Sequence, residues 1–233
     1  MKLFVSDYDD TFYINEEGIK KNIEMVKKWK EKGNLFAFAT GRDYADFKKA
    51  KEKYSLIYDY VILNHGTTIL DSNDQILYNE IINEECIHSL KEKLEEDSFE
   101  IYTASSLESK KDLNYPDITK ITVTYIFPED AARMDEELRD AYYEYLHIYL
   151  VSPCRIEMIP RGVNKRTGVD YLIKKCNIDE NDVYCIGDGH SDVPMVRKYH
   201  GGCMVNSIPS LSDYAENRYE SVADYLEEIL DKS

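Results

Sequence analysis

Leu3-Phe4-Val5-Ser6-Asp7-Tyr8-Asp9-Asp10-Thr11 opens the chain with a short apolar run that ends in three carboxylates and a threonine. Two later segments repeat the pattern. Leu35-Phe36-Ala37-Phe38-Ala39 runs into Thr40-Gly41-Arg42, and Val183-Tyr184-Cys185-Ile186 runs into Gly187-Asp188-Gly189-His190-Ser191-Asp192. Apolar residues at consecutive positions fit strands buried on both faces, as in a parallel sheet covered by helices. Ligands of open parallel sheets bind beyond the carboxyl ends of the strands. The chain therefore sets its carboxylates and glycines along the edge where such sites form.

Outward from these segments the first part alternates strand and helix patterns. Ile19, Ile23, Val26 and Lys30 keep helical spacing, Met25 and Trp29 widen the apolar face, and Gly33 suits a C-cap. A polar helix is predicted from about Asp43 to Lys53, then a strand at Tyr60-Val61-Ile62-Leu63. From Glu80 the pattern changes. Helices are predicted over Asn83 to Glu96 and Glu129 to Leu146. Strands are predicted at Phe99 to Tyr102, Ile121 to Phe127, His147 to Val151 and Arg155 to Ile159. Period-2 alternation beside helices predicts an antiparallel α+β unit. After Pro160 the parallel pattern returns, with a helix from Lys165, strands at Val183 to Ile186 and Cys203 to Val205, a helix after His190, and a last helix near Ser221 to Leu230. The expected fold class is α/β: a core from residues 1–79 and 161–233, interrupted by an α+β domain at 80–160.

Composition narrows the partners. The net charge of −16 argues against nucleic acid and anionic membranes, which it would repel. No run reaches the length of a membrane span and the N-terminus does not read as a signal peptide, so a cytoplasmic protein, monomer or homodimer, is expected. The five cysteines are scattered and form no CxxC pair, which suggests neither a disulfide framework nor a zinc site; Cys185 reads as a core residue. Of the 20 tyrosines, Tyr142, Tyr143, Tyr145 and Tyr149 crowd one region, where packing and surface roles are expected.

Bringing Asp7, Asp9, Asp188 and Asp192 together is repulsive unless a cation neutralises them. A small all-oxygen set suits Mg2+, which keeps several waters and takes one or two carboxylates plus a substrate phosphate.

The motifs resemble those of the haloacid dehalogenase superfamily of phosphotransferases, in its Cof-type sugar-phosphatase branch. Asp7-Tyr8-Asp9-Asp10-Thr11 is similar to its first motif, Phe38-Ala39-Thr40-Gly41-Arg42 to its second, Lys165 within Arg161-Gly162-Val163-Asn164-Lys165 to its third, and Gly187 through Met195 to its fourth. The likeness covers nearly all of the core and is weak from about Glu80 to Pro160. It implies a Rossmann-like parallel-sheet core with an inserted cap, and a magnesium-dependent phosphatase acting on a small phosphate ester. By the same resemblance Asp7 is the nucleophile and Asp9 the general acid and base. Thr40 and the amides after it hold the phosphoryl oxygens, and Lys165 stabilises charge. Asp7, Asp188 and the main-chain carbonyl of Asp9 bind the metal, with Asp192 at or behind it. Thr11, Gly41, Arg42, Asn64 and His190 are expected around the substrate, with His65 and Arg161 as further candidates. Two positions depart from the family pattern: Asp10 stands where a glycine is usual, and Ser191 where an asparagine is common.

A phosphomutase using the same phospho-aspartate is the nearest alternative enzyme. A halide-removing relative fits less well, because Asp9 supplies an acid and base that phosphoryl transfer requires. Outside enzymes, a receiver-like phosphoacceptor module shares the acidic strand-end site but lacks the length and the insert. A binding protein with a degenerate site is disfavoured by the intact Asp7, Asp9, Thr40, Lys165 and Asp188.

Overall fold

The computed structural model describes residues 1–96, 101–108 and 110–232. In chain order the core begins with β1 (Leu3–Ser6), α1 (Glu16–Glu31), β2 (Leu35–Ala39), α2 (Tyr44–Tyr54), β3 (Tyr60–Leu63), β4 (Thr68–Asp71) and β5 (Ile76–Asn79). The cap follows with α3 (Glu84–Glu96), β6 (Ile101–Ser105), β7 (Lys110–Lys111), β8 (Lys120–Thr124), α4 (Pro128–Tyr142), β9 (Leu146–Ser152) and β10 (Arg155–Pro160). The core resumes with α5 (Lys165–Cys176), β11 (Val183–Gly187), α6 (Val193–Lys198), β12 (His200–Met204), α7 (Pro209–Ser212), β13 (Asn217–Tyr219) and α8 (Val222–Asp231).

The core sheet has eight strands in the order β13-β12-β11-β1-β2-β3-β4-β5. The strands from β13 to β3 are parallel; β4 and β5 add an antiparallel edge. The chain winds one way from β1 to β3 and the other way from β11 to β13, so strand order reverses beside β1, where α/β sheets bind ligands. Alternation along β1 divides the core. Phe4 packs on Phe36, Trp29 and Tyr225 on one face, while Leu3 and Val5 join Val169, Leu172 and Met195 on the other. Leu3, Phe4 and Val5 are all fully buried, each stabilising the fold by about 1.5–3 kcal/mol.

α1 forms as its spacing predicts. Asn15 caps it by accepting from the amides of Glu17 and Gly18, and Ile19, Asn22, Met25, Val26 and Trp29 make its buried stripe. Asn22 is the polar member of that stripe. It donates to the carbonyl of Phe12 and accepts from the amide of Ala223, each at 2.8 Å, tying the loop after β1 to α8. Trp29 is buried and donates to the carbonyl of Leu35 at 2.8 Å.

The cap sheet is antiparallel, in the order β7-β6-β8-β10-β9. One face, with Ile121, Val123, Ile148, Ile156 and Met158, packs on Leu90 and Leu94 of α3 and Met134 and Leu138 of α4. In the core, β12 begins at His200, three residues before the strand expected from Cys203, and two cap boundaries also differ from expectation. β8 stops at Thr124, because Pro128 begins α4; α4 in turn stops at Tyr142, because Leu146 pairs with Pro160 at the start of β9. The expected strand start at Phe99 and Glu100 lies outside the described residues. The β4–β5 hairpin and β13 were not anticipated: each is short and polar at one end. All five cysteines are free, and Cys185 is fully buried in the core.

Candidate active site

The carboxyl ends of β11, β1, β2 and β3 stand side by side and carry Asp188, Asp7, Thr40 and Asn64. Asp7 directly follows β1, its amide donating to the carbonyl of Ile186 at 3.0 Å. Lys165 comes from a different direction, the first turn of α5, where Asn164 and Thr167 form a capping box. Gly66, at φ +123°, lets the loop after β3 press against that cap: a Cβ there would stand 2.3 Å from the carbonyl oxygen of Asn164. The contact fixes the start of α5. Lys165 Nζ then donates to Asp7 Oδ1 and Asp192 Oδ1, both at 2.7 Å.

Asp192 is equally constrained. Its Oδ2 accepts from the amides of Asp188 and Gly189 at 3.1 and 3.0 Å, and its carboxyl group lies so close over Gly187 that a Cβ would sit 2.3 Å from its Cγ. Thr11 is fully buried and donates to Asp188 Oδ1 at 2.7 Å. Thr11 thus positions Asp188 and does not line the cleft.

Asp7, Asp188 and Asp192 each offer an oxygen within 4.8 Å of the others. Three carboxylates around one ammonium leave surplus negative charge. Burial pushes the Asp7 carboxyl well up, with Asp192 and Asp188 adding to it and Lys165 opposing. Burial and then Asp192 push Asp188 up, against the Thr11 hydrogen bond. Burial would lower the Lys165 ammonium, but Asp192 and Asp7 outweigh it and hold the group charged. A hard divalent cation fits this all-oxygen set, since it would relieve the repulsion that raises Asp7 and Asp188.

Asp9 is placed otherwise. Its carboxylate is not among the three; both oxygens are taken by Arg42, at 2.8 Å from Nε and 2.7 Å from NH2, and the guanidinium lies 4.7 Å over the ring of Tyr8. Asp10 has φ 56°, a left-handed backbone that favours glycine and that aspartate tolerates better than most residues. The loop after β2 is fully tied down. The carbonyl of Thr40 accepts from His65 N at 3.0 Å, that of Arg42 from Asn64 N at 2.9 Å, and Thr40 Oγ1 from Arg42 N at 3.1 Å. The carbonyl of Gly41 accepts from Lys120 Nζ, a cap residue, at 2.5 Å.

Lys120 belongs to a core–cap seam that sequence reasoning missed. It also donates to Glu157 Oε1 at 3.1 Å, while Glu157 Oε2 bonds His65 Nε2 at 2.7 Å. Burial lowers His65, against Glu157, keeping the imidazole neutral at pH 7. Burial would raise Glu157, but Lys120 and His65 outweigh it and bring its carboxyl down to about 2. Asn64, expected at the substrate, is buried and donates to Thr119 of the cap at 2.9 Å, so it joins the seam instead of the cleft wall. The only hint in the sequence was the paired polar residues within otherwise alternating strands, which read equally well as a solvent face.

Between core and cap lies a cleft of about 1560 Å³, whose wall includes Asp7, Asp9, Thr40, Gly41, Arg42 and Lys165 together with Asp188, His190, Asp192 and Arg161. His190 is exposed at its rim. A profile of the haloacid dehalogenase-like hydrolases matches residues 4–109 and 100–225. The chain belongs to that family. It is similar to a Haemophilus influenzae protein provisionally named a phosphatase (24% identity over 97% of this chain and 95% of that one). It is also similar to a phosphoglycolate phosphatase of Nitrosopumilus maritimus (28% identity over 84% and 79%). Among solved structures it resembles a Plasmodium vivax chain provisionally described as a HAD/COF-like hydrolase, with TM-score 0.88, 20% identity, and coverage of 100% and 96%; that likeness concerns the fold. The family and these relatives make the chain a phosphatase of the haloacid dehalogenase type. Among the described residues no helix is long and apolar enough to cross a membrane.

Proposed function

We propose that this phosphatase hydrolyses a small phosphorylated metabolite through a phospho-aspartate on Asp7. The observation that carries the reading is the grouping of Asp7, Lys165, Asp192 and Asp188 at the strand-order reversal, under a cleft that a cap sheet roofs. Asp7, Asp188, Asp192 and the main-chain carbonyl of Asp9 would hold Mg2+, which when bound neutralises charge on the phosphoryl oxygens. In the first step Asp7 attacks phosphorus as the ester P–O bond breaks, and Asp9, released from Arg42 as substrate enters and protonated from solvent, gives that proton to the leaving oxygen. In the second, Asp9 takes a proton from water as that water attacks the phosphoryl group and frees the Asp7 carboxylate. Lys165 and the fixed Thr40–Gly41 loop hold the phosphoryl group during both steps, since phosphoryl transfer relies on positioning and charge stabilisation. Arg42 keeps the Asp9 carboxylate in place until substrate enters.

The cap excludes bulky esters, and the named activity of the Nitrosopumilus relative makes a phosphorylated two-carbon acid one member of the substrate panel. The test incubates the protein with phosphorylated sugars, sugar acids and cofactors, with magnesium or chelator, and measures free phosphate. Release from small esters that needs magnesium is expected. Full activity in chelator, a requirement for zinc, or hydrolysis confined to folded phosphoproteins would overturn the reading.

A further inference from the structure

The two walls of the cleft differ in charge. The core wall carries seven aspartates, Asp7, Asp9, Asp10, Asp43, Asp46, Asp188 and Asp192, against four cations, Arg42, Lys49, Arg161 and Lys165. The cap wall carries Lys110, Lys120, Arg139 and Arg155, with Glu157 its one carboxylate among the described residues. Composition does not explain this, because the chain holds 45 acidic and 29 basic residues. The floor suits a metal and a phosphoryl group. The roof, which would meet the rest of the substrate, suits an anion.

Three of the four roof cations are already satisfied. Lys110 pairs with Asp46 across the cleft at 2.7 Å, Lys120 with Glu157, and Arg139 with Asp135 at 2.8 Å. Arg155 has no anionic partner among the described residues. It lies on the same sheet face as Glu157, two residues away along β10, and so about 7 Å further from the seam. Since Lys120, paired with Glu157, donates to the Gly41 carbonyl, Arg155 stands one strand repeat beyond the loop expected to hold the phosphoryl group. Thr124, its direct partner on β8, is also on the cleft wall. Arg155 is near enough to Lys110 for their positive charges to oppose each other, while Asp46 and Asp43 lie beside Lys110.

We propose that Arg155 forms a subsite for a second anionic group, so that the favoured substrate carries a carboxylate or another phosphate on its leaving-group side. The inference rests on the phosphatase reading and specifies its substrate class. A guanidinium presents a planar fork that matches a carboxylate or phosphate bidentately, and Thr124 can add a hydroxyl donor. Neutral sugar phosphates would leave that fork facing water.

Binding tests this separately from turnover. Calorimetry with magnesium present would compare the non-hydrolysable 4-phosphonobutyrate with 4-hydroxybutylphosphonate, in the wild-type chain and in Arg155→Met and Arg155→Lys. The wild type should bind the carboxylated ligand about tenfold more tightly, Arg155→Met should erase that difference without weakening the hydroxyl ligand, and Arg155→Lys should keep part of it. In parallel, 6-phosphogluconate should be hydrolysed better than glucose 6-phosphate by the wild type only. Equal affinities in the wild type, or an equal loss of both ligands in Arg155→Met, would overturn the proposal. Phosphonate discrimination without any phosphate release would support the subsite and sink the phosphatase reading instead.

Discussion

Lys165 and Lys120 are both ammonium groups taken almost wholly out of water, at 2% and 4% exposure, yet their surroundings differ. Lys165 meets Asp7 and Asp192, with Asp188 beside them, and the group keeps surplus negative charge. Lys120 meets one carboxylate, whose other oxygen serves a neutral imidazole, and a peptide carbonyl. The first centre is electrically incomplete and calls for a further cation. The second is balanced and calls for nothing. Surplus buried charge marks the site proposed for chemistry, while balance marks the place where two parts of the fold are held together.

The comparison can be broken at either end. Asp7→Asn should lower turnover by at least about a thousandfold in a phosphate-release assay, with little change in unfolding midpoint. Near-normal activity would remove the phospho-aspartate. Asp188→Asn should weaken magnesium binding by about a hundredfold in calorimetry; unchanged affinity would place the cation elsewhere. At the seam, Lys120→Met leaves Glu157 buried without its ammonium and should cost about 3–5 kcal/mol in urea unfolding. Glu157→Gln in the same chain should recover part of that loss, and simple additivity would mean the two do not act as a pair.

The seam also predicts a pH response. The Glu157 carboxyl is held near 2 in the folded chain against 4.5 when unperturbed, so its contribution is complete above about pH 4.5 and lost as pH falls towards 2. The loss should be on the order of 3 kcal/mol, and Glu157→Gln should flatten stability over that range. The smallest effect belongs to Asp10. Replacing it with glycine relieves a left-handed backbone and should stabilise the chain by up to about 1 kcal/mol, read as a rise in unfolding midpoint.

The same contrast explains what could be read in advance. β1, β2 and β11 are apolar at consecutive positions, so their ends, and the residues on them, were visible from pattern alone. Lys165 was not: it opens a polar helix turn, and only the resemblance singled it out. Lys120 and Glu157 sit at alternating polar positions of strands whose other face is apolar, the pattern of any half-exposed sheet. Their burial comes from the core loop lying against them, a long-range contact that local periodicity does not encode. The β4–β5 hairpin escaped notice for a related reason, since Asp71 to Asp74 make a polar turn between strands of four residues each. Thr11 and Asn64 lie where the motifs put them in the chain, but burial turns the one towards Asp188 and the other towards the cap.

Trp29 gives the architecture a built-in optical reporter. It is the single tryptophan, and it sits on α1 against Phe4 of β1, hydrogen-bonded to Leu35, while the cap contains none. Tryptophan emission therefore follows melting of the core alone, whereas circular dichroism sums helices from both parts. Superimposed denaturation curves from the two signals would mean that the seam makes core and cap melt as a single cooperative unit. A dichroism transition preceding the emission change would reveal a cap that loosens first, and Lys120→Met should widen the gap between the curves.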